Sequence, residues 1–228
     1  MKYTHLLFDL DNTIMDFTKS SVPAFRDTLH HFEILEEQDF YPVYRKINKK
    51  VWEELERGDI DQQTLRAKRF RLFFEYIGKP ELDPLEANAR YLQGIIEHPV
   101  YLKDALDILE EFKDEFTMSI VTNGLKEVQR PRLENKNLKA YFKSIIVSDE
   151  IGVAKPHKEF FDYVFDTIPN AKKETTLIIG DSLGSDIRGG NNYGIDSCWM
   201  NYHKTKNATE ITPTYTITRL GELRDYVR

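Results

Sequence analysis

Short apolar runs recur along the chain, and several of them give way to Asp, Asn, Ser or Gly. They occupy residues 3–10, 116–121, 144–147, 176–179, 197–200 and 215–217. Continuous apolar runs of this length suit strands buried on both faces of a parallel sheet, with polar chemistry gathered at their carboxyl ends. Helical patterns separate most of them. Residues 103–115 place Ala105, Leu106, Leu109 and Phe112 at helical spacing, and residues 157–168 do the same with Phe160, Phe161, Val164 and Phe165. This alternation predicts an α/β domain with crossover helices.

From Met15 to about Pro99 the alternation stops and the pattern is helical throughout. Val22, Phe25, Leu29 and Phe32 form one stripe, with Ser20 and Ser21 as a candidate cap and Pro23 in the first turn. Phe40, Tyr44, Ile47, Val51 and Leu55 form a second. Leu72, Phe73, Tyr76 and Ile77 lie on a third, closed by Gly78 and Pro80, and Leu85, Ala89, Leu92 and Ile96 lie on a fourth, opened after Pro84. The pattern predicts an all-helical insert, residues 16–97, inside an α/β domain made of residues 1–15 and 98–228. The hinges fall around residues 15–19 and 98–102.

Charge and composition narrow the function. The 228 residues carry 32 basic and 38 acidic side chains, a formal charge of −6, with no basic stripe to neutralise a nucleic-acid backbone. A small-molecule substrate is the better expectation. A hydrophobic fraction of 40% with 31% charged residues is that of a soluble globular protein, and no apolar run approaches a membrane span. The chain reaches Asp9 too soon for a secretory signal, which points to the cytoplasm. The single cysteine, Cys198, forms no internal disulfide and reads as a buried structural thiol.

Four segments carry candidate chemistry. Asp9 and Asp11 are two residues apart at the end of the first run, so an extended backbone points both carboxylates to one face. A plain turn would use the same residue types. Thr122-Asn123-Gly124 ends the second run with a hydroxyl, an amide and a residue that lets backbone approach a ligand. Lys155-Pro156 offers a cation beside a stiffened turn, a pairing also common in solvated loops. Asp181 and Asp186, in a glycine-bearing segment after residues 176–179, supply hard oxygen ligands suited to magnesium.

In this order, each after a predicted strand, the four segments resemble the haloacid dehalogenase superfamily, whose phosphatases carry an Asp-x-Asp pair, a Ser or Thr, a Lys and a distal acidic pair. The resemblance implies a Rossmann-like, doubly wound parallel sheet with the helical insert as a cap. It makes Asp9 the nucleophile that forms an aspartyl-phosphate and Asp11 the general acid and base. Mg2+ would be held by Asp9, the backbone carbonyl of Asp11, Asp181 and Asp186, the last directly or through water. Thr122, the Asn123 backbone and Lys155 would grip the phosphoryl oxygens, with Lys155 also orienting Asp9. Residues 152–165 and 180–190 look more specifically like the bacterial pyrimidine 5′-nucleotidase branch, which implies a nucleoside 5′-monophosphate as substrate.

Several rivals share part of this pattern. A dehalogenase uses an aspartate nucleophile on carbon and has no use for Asp11 or the Asp181/Asp186 pair. A phosphomutase, or a sugar-phosphate or phosphoglycolate phosphatase, uses the same phosphoryl-transfer groups. A non-catalytic binding or regulatory module on this fold is the rival from another class, and the intact four segments weigh against it. Trp52, Phe70, Phe73, Phe74 and Tyr76, with Arg66, Lys68, Arg69 and Arg71, are the pool from which base contacts could come. Their helical spacing assigns most of the aromatics to a cap core and most of the cations to its solvated face.

Overall fold

The computed structural model describes residues 2–34, 39–134 and 138–228. Its contacts divide the chain into two compact units, Met1–Asp16 with Val100–Arg228, and Phe17–Pro99.

The larger unit is built on a six-stranded sheet in the order β3-β2-β1-β4-β5-β6. The strands are β1 (His5–Phe8), β2 (Thr117–Thr122), β3 (Ser144–Val147), β4 (Thr176–Gly180), β5 (Asp196–Met200) and β6 (Tyr215–Ile217), and every pairing is parallel. All six predicted runs are therefore strands. His5 pairs with Thr117 on one side and Thr176 on the other. Between β3 and β4 the chain crosses from one side of β1 to the other, so the ends of β1 and β4 flank a topological switch point, the place where open α/β sheets bind ligands.

The strands alternate as a sheet covered on both faces must. Leu6, Phe8, Ile120 and Ile179 pack with Ile108, Leu109 and Phe112 of α5 (Ala105–Phe112) on one face. Leu7, Val121 and Ile178 pack with Phe160, Phe161 and Val164 of α8 (Lys158–Thr167) on the other. Both expected crossover helices are present, and the sheet is doubly wound. Cys198 is fully buried, and burial pushes its thiol well above the usual range, which makes it inert.

Among its described residues the smaller unit is helical: α1 (Phe17–His31), α2 (Tyr41–Glu56), α3 (Gln62–Tyr76) and α4 (Pro84–Glu97). Its core is aromatic, with Phe25 stacked on Tyr44 at 4.5 Å and Phe73, Phe70 and Tyr91 arranged around them. Asp61 caps α3 through the Thr64 N–H, and Asp83 caps α4 through the Leu85 N–H.

Three local expectations change. Helix α1 begins at Phe17, so Ser20 and Ser21 are buried inside it and Pro23 lies in its interior. The stripe of α3 runs through Leu65, Arg69, Phe70, Phe73 and Phe74, leaving Tyr76 61% exposed. That of α4 runs through Ala87, Asn88, Tyr91, Leu92 and Ile95, leaving Leu85 55% exposed. Arg69, one of a group of cations most of which the spacing places on the solvated face, is buried. Its guanidinium donates to Asn88 and Asn48 and lies 5.3 Å from the Tyr91 ring centroid.

Candidate active site

Three of the site residues stand at the carboxyl edge of the sheet, where its parallel strands all end. Asp9 follows β1 directly, Thr122 is the last residue of β2, and Asp181 follows Gly180 at the end of β4. These three strands are neighbours, so three side chains far apart in sequence meet with little loop between strand and function. Lys155 arrives from the segment between α7 (Ser148–Ile151) and α8. Asp186 comes from a π-helical turn, Leu183–Ile187, in which the Ser182 side chain accepts from the Ser185 N–H.

The centre of the arrangement is the Lys155 ammonium. It donates to Asp9 Oδ1 at 2.8 Å, Asp186 Oδ1 at 2.6 Å and the Val121 carbonyl at 2.5 Å, which occupies all three of its protons. The Lys155 backbone is held as well: its N–H donates to Asn123 Oδ1, and the Asn123 amide donates back to its carbonyl, each at 2.9 Å. The Asn123 side chain thus fixes Lys155. Asp186 Oδ2 accepts the Ser182 N–H at 3.1 Å, and a Cβ added to Gly180 would collide with the Asp186 carboxyl group. Glycine is needed at 180 so that this carboxylate can lie against the strand end.

Asp9, Asp181 and Asp186 each place a carboxylate oxygen within 4.8 Å of the others. Burial pushes the Asp9 carboxyl up, Lys155 pulls it back and Asp186 raises it again, to about 7. Asp181 is held well above the usual carboxylate range by burial and by its neighbours Asp9 and Asp186, against a hydrogen bond from Asn12. Burial opposes the Lys155 charge, but Asp186 and Asp9 outweigh it and hold the ammonium above the ordinary lysine value. Three carboxylates against one ammonium leave an excess of buried negative charge, and the donor set is all oxygen. Both features fit a hard divalent cation. The Asp11 side chain lies outside this set and turns to Arg132 and Gln129.

The hydroxyl oxygen of Thr122 accepts the Gly124 N–H at 3.1 Å and the Gln129 amide at 3.0 Å. With both lone pairs engaged, its proton is the part left to donate. Spacing along the sequence did not single out Gln129 or Arg132. Both lie on the buried stripe of α6 (Lys126–Glu134), alongside Val128 and Leu133. Trp199 was also missed; its indole N–H holds the Asp181 carbonyl at 2.9 Å.

Comparison with known proteins gives this arrangement a family. The model of the family described as haloacid dehalogenase-like hydrolase matches residues 6–200. The chain belongs to the haloacid dehalogenase-like hydrolases. It is 38% identical over 222 residues to the HAD-hydrolase YfnB of Bacillus subtilis, covering 97% of this chain and 94% of that one. A crystal structure of YfnB, described as bound to magnesium, superposes with a TM-score of 0.93 at 36% identity over 100% of both chains. The chain is also 34% identical to the pyrimidine 5′-nucleotidase PynA of Streptococcus pneumoniae, over 99% of this chain and 95% of the relative. Its identity to the pyrimidine 5′-nucleotidase YjjG of Escherichia coli is 31%, over 98% and 97%. Among the described residues, no helix is long and apolar enough to cross a membrane.

Proposed function

We propose that this hydrolase is a magnesium-dependent phosphomonoesterase that works through an aspartyl-phosphate on Asp9 and acts on pyrimidine nucleoside 5′-monophosphates. The observation that carries the reading is the Asp9 carboxylate, oriented by a fully engaged Lys155 beside Asp181 and Asp186, with a second carboxyl, Asp11, two residues on. A dehalogenase would not need the second acid or the metal cluster.

Asp9, Asp181 and Asp186, with the Asp11 backbone carbonyl, would hold Mg2+. When bound, the ion supplies the positive charge that lets an anionic nucleophile approach an anionic phosphate.

Asp9 attacks phosphorus through the oxygen that Lys155 does not bind, and the bond from phosphorus to the ester oxygen breaks. Asp11 gives its proton to that departing oxygen, so the nucleoside leaves as a neutral alcohol. In the second half, Asp11 takes a proton from water as the water oxygen attacks the phosphorus of the aspartyl-phosphate. The bond between phosphorus and Asp9 breaks and inorganic phosphate leaves. Lys155 favours the ionised form of Asp9 before the attack and aims its carboxyl group in both steps. Touching a phosphoryl oxygen as well would require it to release one of its three present acceptors. Thr122 offers its hydroxyl proton to a phosphoryl oxygen.

The nucleotide preference is supported by the names of PynA and YjjG and by the resemblance in residues 152–165 and 180–190. The phosphate grip is common to every monoester, so the base must be discriminated by side chains outside this set. Steady-state phosphate release from dUMP, dTMP, purine monophosphates, sugar phosphates and phosphoglycolate tests the reading. Pyrimidine nucleotides should give the highest kcat/KM. Equal or higher values for purine nucleotides or phosphoglycolate would remove the nucleotidase assignment and leave the phosphatase chemistry standing.

A further inference from the structure

Arg132 is 0% exposed on α6, yet its Nε and Nη2 have no partner in the structure. Its Nη1 donates to Asp11 Oδ1 at 2.7 Å and to Gln129 Oε1 at 2.9 Å. Gln129, 1% exposed and one turn earlier, donates from Nε2 to Asp11 Oδ2 at 2.8 Å and to Thr122 Oγ1 at 3.0 Å. A Cβ on Gly124 would collide with the Gln129 amide, so the close passage of this side chain across the turn requires a glycine there.

A guanidinium buried with two donors unmet is costly, and an apolar side chain of similar volume on the same stripe would serve folding better. The neighbouring buried positions, Val128 and Leu133, show what packing alone selects. What the cation and the amide achieve together is to hold both oxygens of one carboxylate, one oxygen each. Only two of the four acceptor sites of Asp11 are engaged, so the other two stay open while its plane is fixed. Its side chain is 26% exposed and stays reachable by a substrate oxygen.

We propose that Gln129 and Arg132 are positioning residues that fix the Asp11 carboxyl, one side chain to each oxygen, so that the proton donor is aimed from one helix. This rests on the phosphatase reading with Asp11 as general acid and base. A merely structural role would affect all substrates alike, whereas positioning of Asp11 matters only where a proton must move. Departure of p-nitrophenolate needs little protonation; departure of an alkyl oxygen from dUMP needs it fully.

The test is rapid-quench kinetics on wild type, Gln129→Met, Arg132→Met and Arg132→Lys with Mg2+, comparing p-nitrophenyl phosphate with dUMP. Gln129→Met should slow phosphoenzyme formation from dUMP by roughly 10²-fold, and slow phosphoenzyme hydrolysis, while formation from p-nitrophenyl phosphate changes little. Arg132→Lys, which retains the charge on a single donor nitrogen, should recover part of the dUMP rate lost in Arg132→Met. If Arg132→Met does not fold, Gln129→Met and Arg132→Lys carry the comparison with wild type. Equal losses with both substrates, or an unchanged ratio between them in Gln129→Met, would overturn the inference alone. Absence of any phosphoenzyme in wild type would overturn the phosphatase reading and the inference with it.

Discussion

Lys155 shows how one residue can govern a site without being its nucleophile. Its three protons tie Asp9, Asp186 and the end of β2 together inside the protein. In Lys155→Met, two buried carboxylates lose their counter-charge, a loss worth about 3–5 kcal/mol when one partner of a buried pair is removed. We expect kcat/KM to fall by roughly 10²–10³-fold and the metal-free protein to melt earlier than wild type. Added Mg2+ should narrow the gap in Tm, because it restores positive charge to the same carboxylates. Wild-type kcat/KM in a folded Lys155→Met would remove Lys155 from the machinery. Asp9, Thr122 and Asp181, which the structure brings to one edge of the sheet, stand out in the sequence because each closes or directly follows an apolar run, where a polar residue is conspicuous; Lys155 and Asp186 lie in segments beyond such runs. Gln129 and Arg132 do not stand out, because a helix with charged residues all round gives no sign of which of them turn inward.

Among the elements, the strands were the most legible, since a continuous buried run admits one reading whatever its register. The helices of the smaller unit were legible in number but less so in phase. Residues 62–76 mix aromatic and basic side chains around the whole helix, so its buried face is selected by α2 and α4 and cannot be read from periodicity alone. The same packing explains Gly94. A Cβ there would stand 2.7 Å from Ala24 Cβ and 2.9 Å from Ala24 Cα, so α4 and α1 meet through a glycine. Gly94→Ala would gain about 1 kcal/mol of helix propensity. It would also force apart two backbones, at about 1–3 kcal/mol, and the clash should win because backbone atoms cannot turn aside. Differential scanning calorimetry should show a lowered Tm. A raised Tm would mean that the two helices separate without cost.

At the scale of the whole molecule, the formal charge of −6 makes the fit to an anionic substrate depend on a local cation. Buried Lys155 is engaged by Asp9 and Asp186, so in the proposed mechanism the charge that admits a phosphate would come from Mg2+. Chelation should abolish phosphate release, and re-addition of Mg2+ at about 100 times its Kd should raise stability by about 2.7 kcal/mol. Full turnover in the chelated protein would contradict the metal-dependent reading. The parallel sheet explains why so much chemistry was readable: strand ends deliver Asp9, Thr122 and Asp181 to one edge by topology alone. Substrate identity was less readable, because no strand end encodes the recognition of a base. The proposed mechanism stands or falls on the covalent step at Asp9. The direct measurement is a denaturing quench during turnover of dUMP, followed by intact mass and peptide mapping of wild type and Asp9→Asn. One added phosphoryl group is expected on the peptide carrying Asp9 in wild type, and none in the folded variant; a phosphoryl group on another residue, or turnover at wild-type rate by Asp9→Asn, would contradict the mechanism.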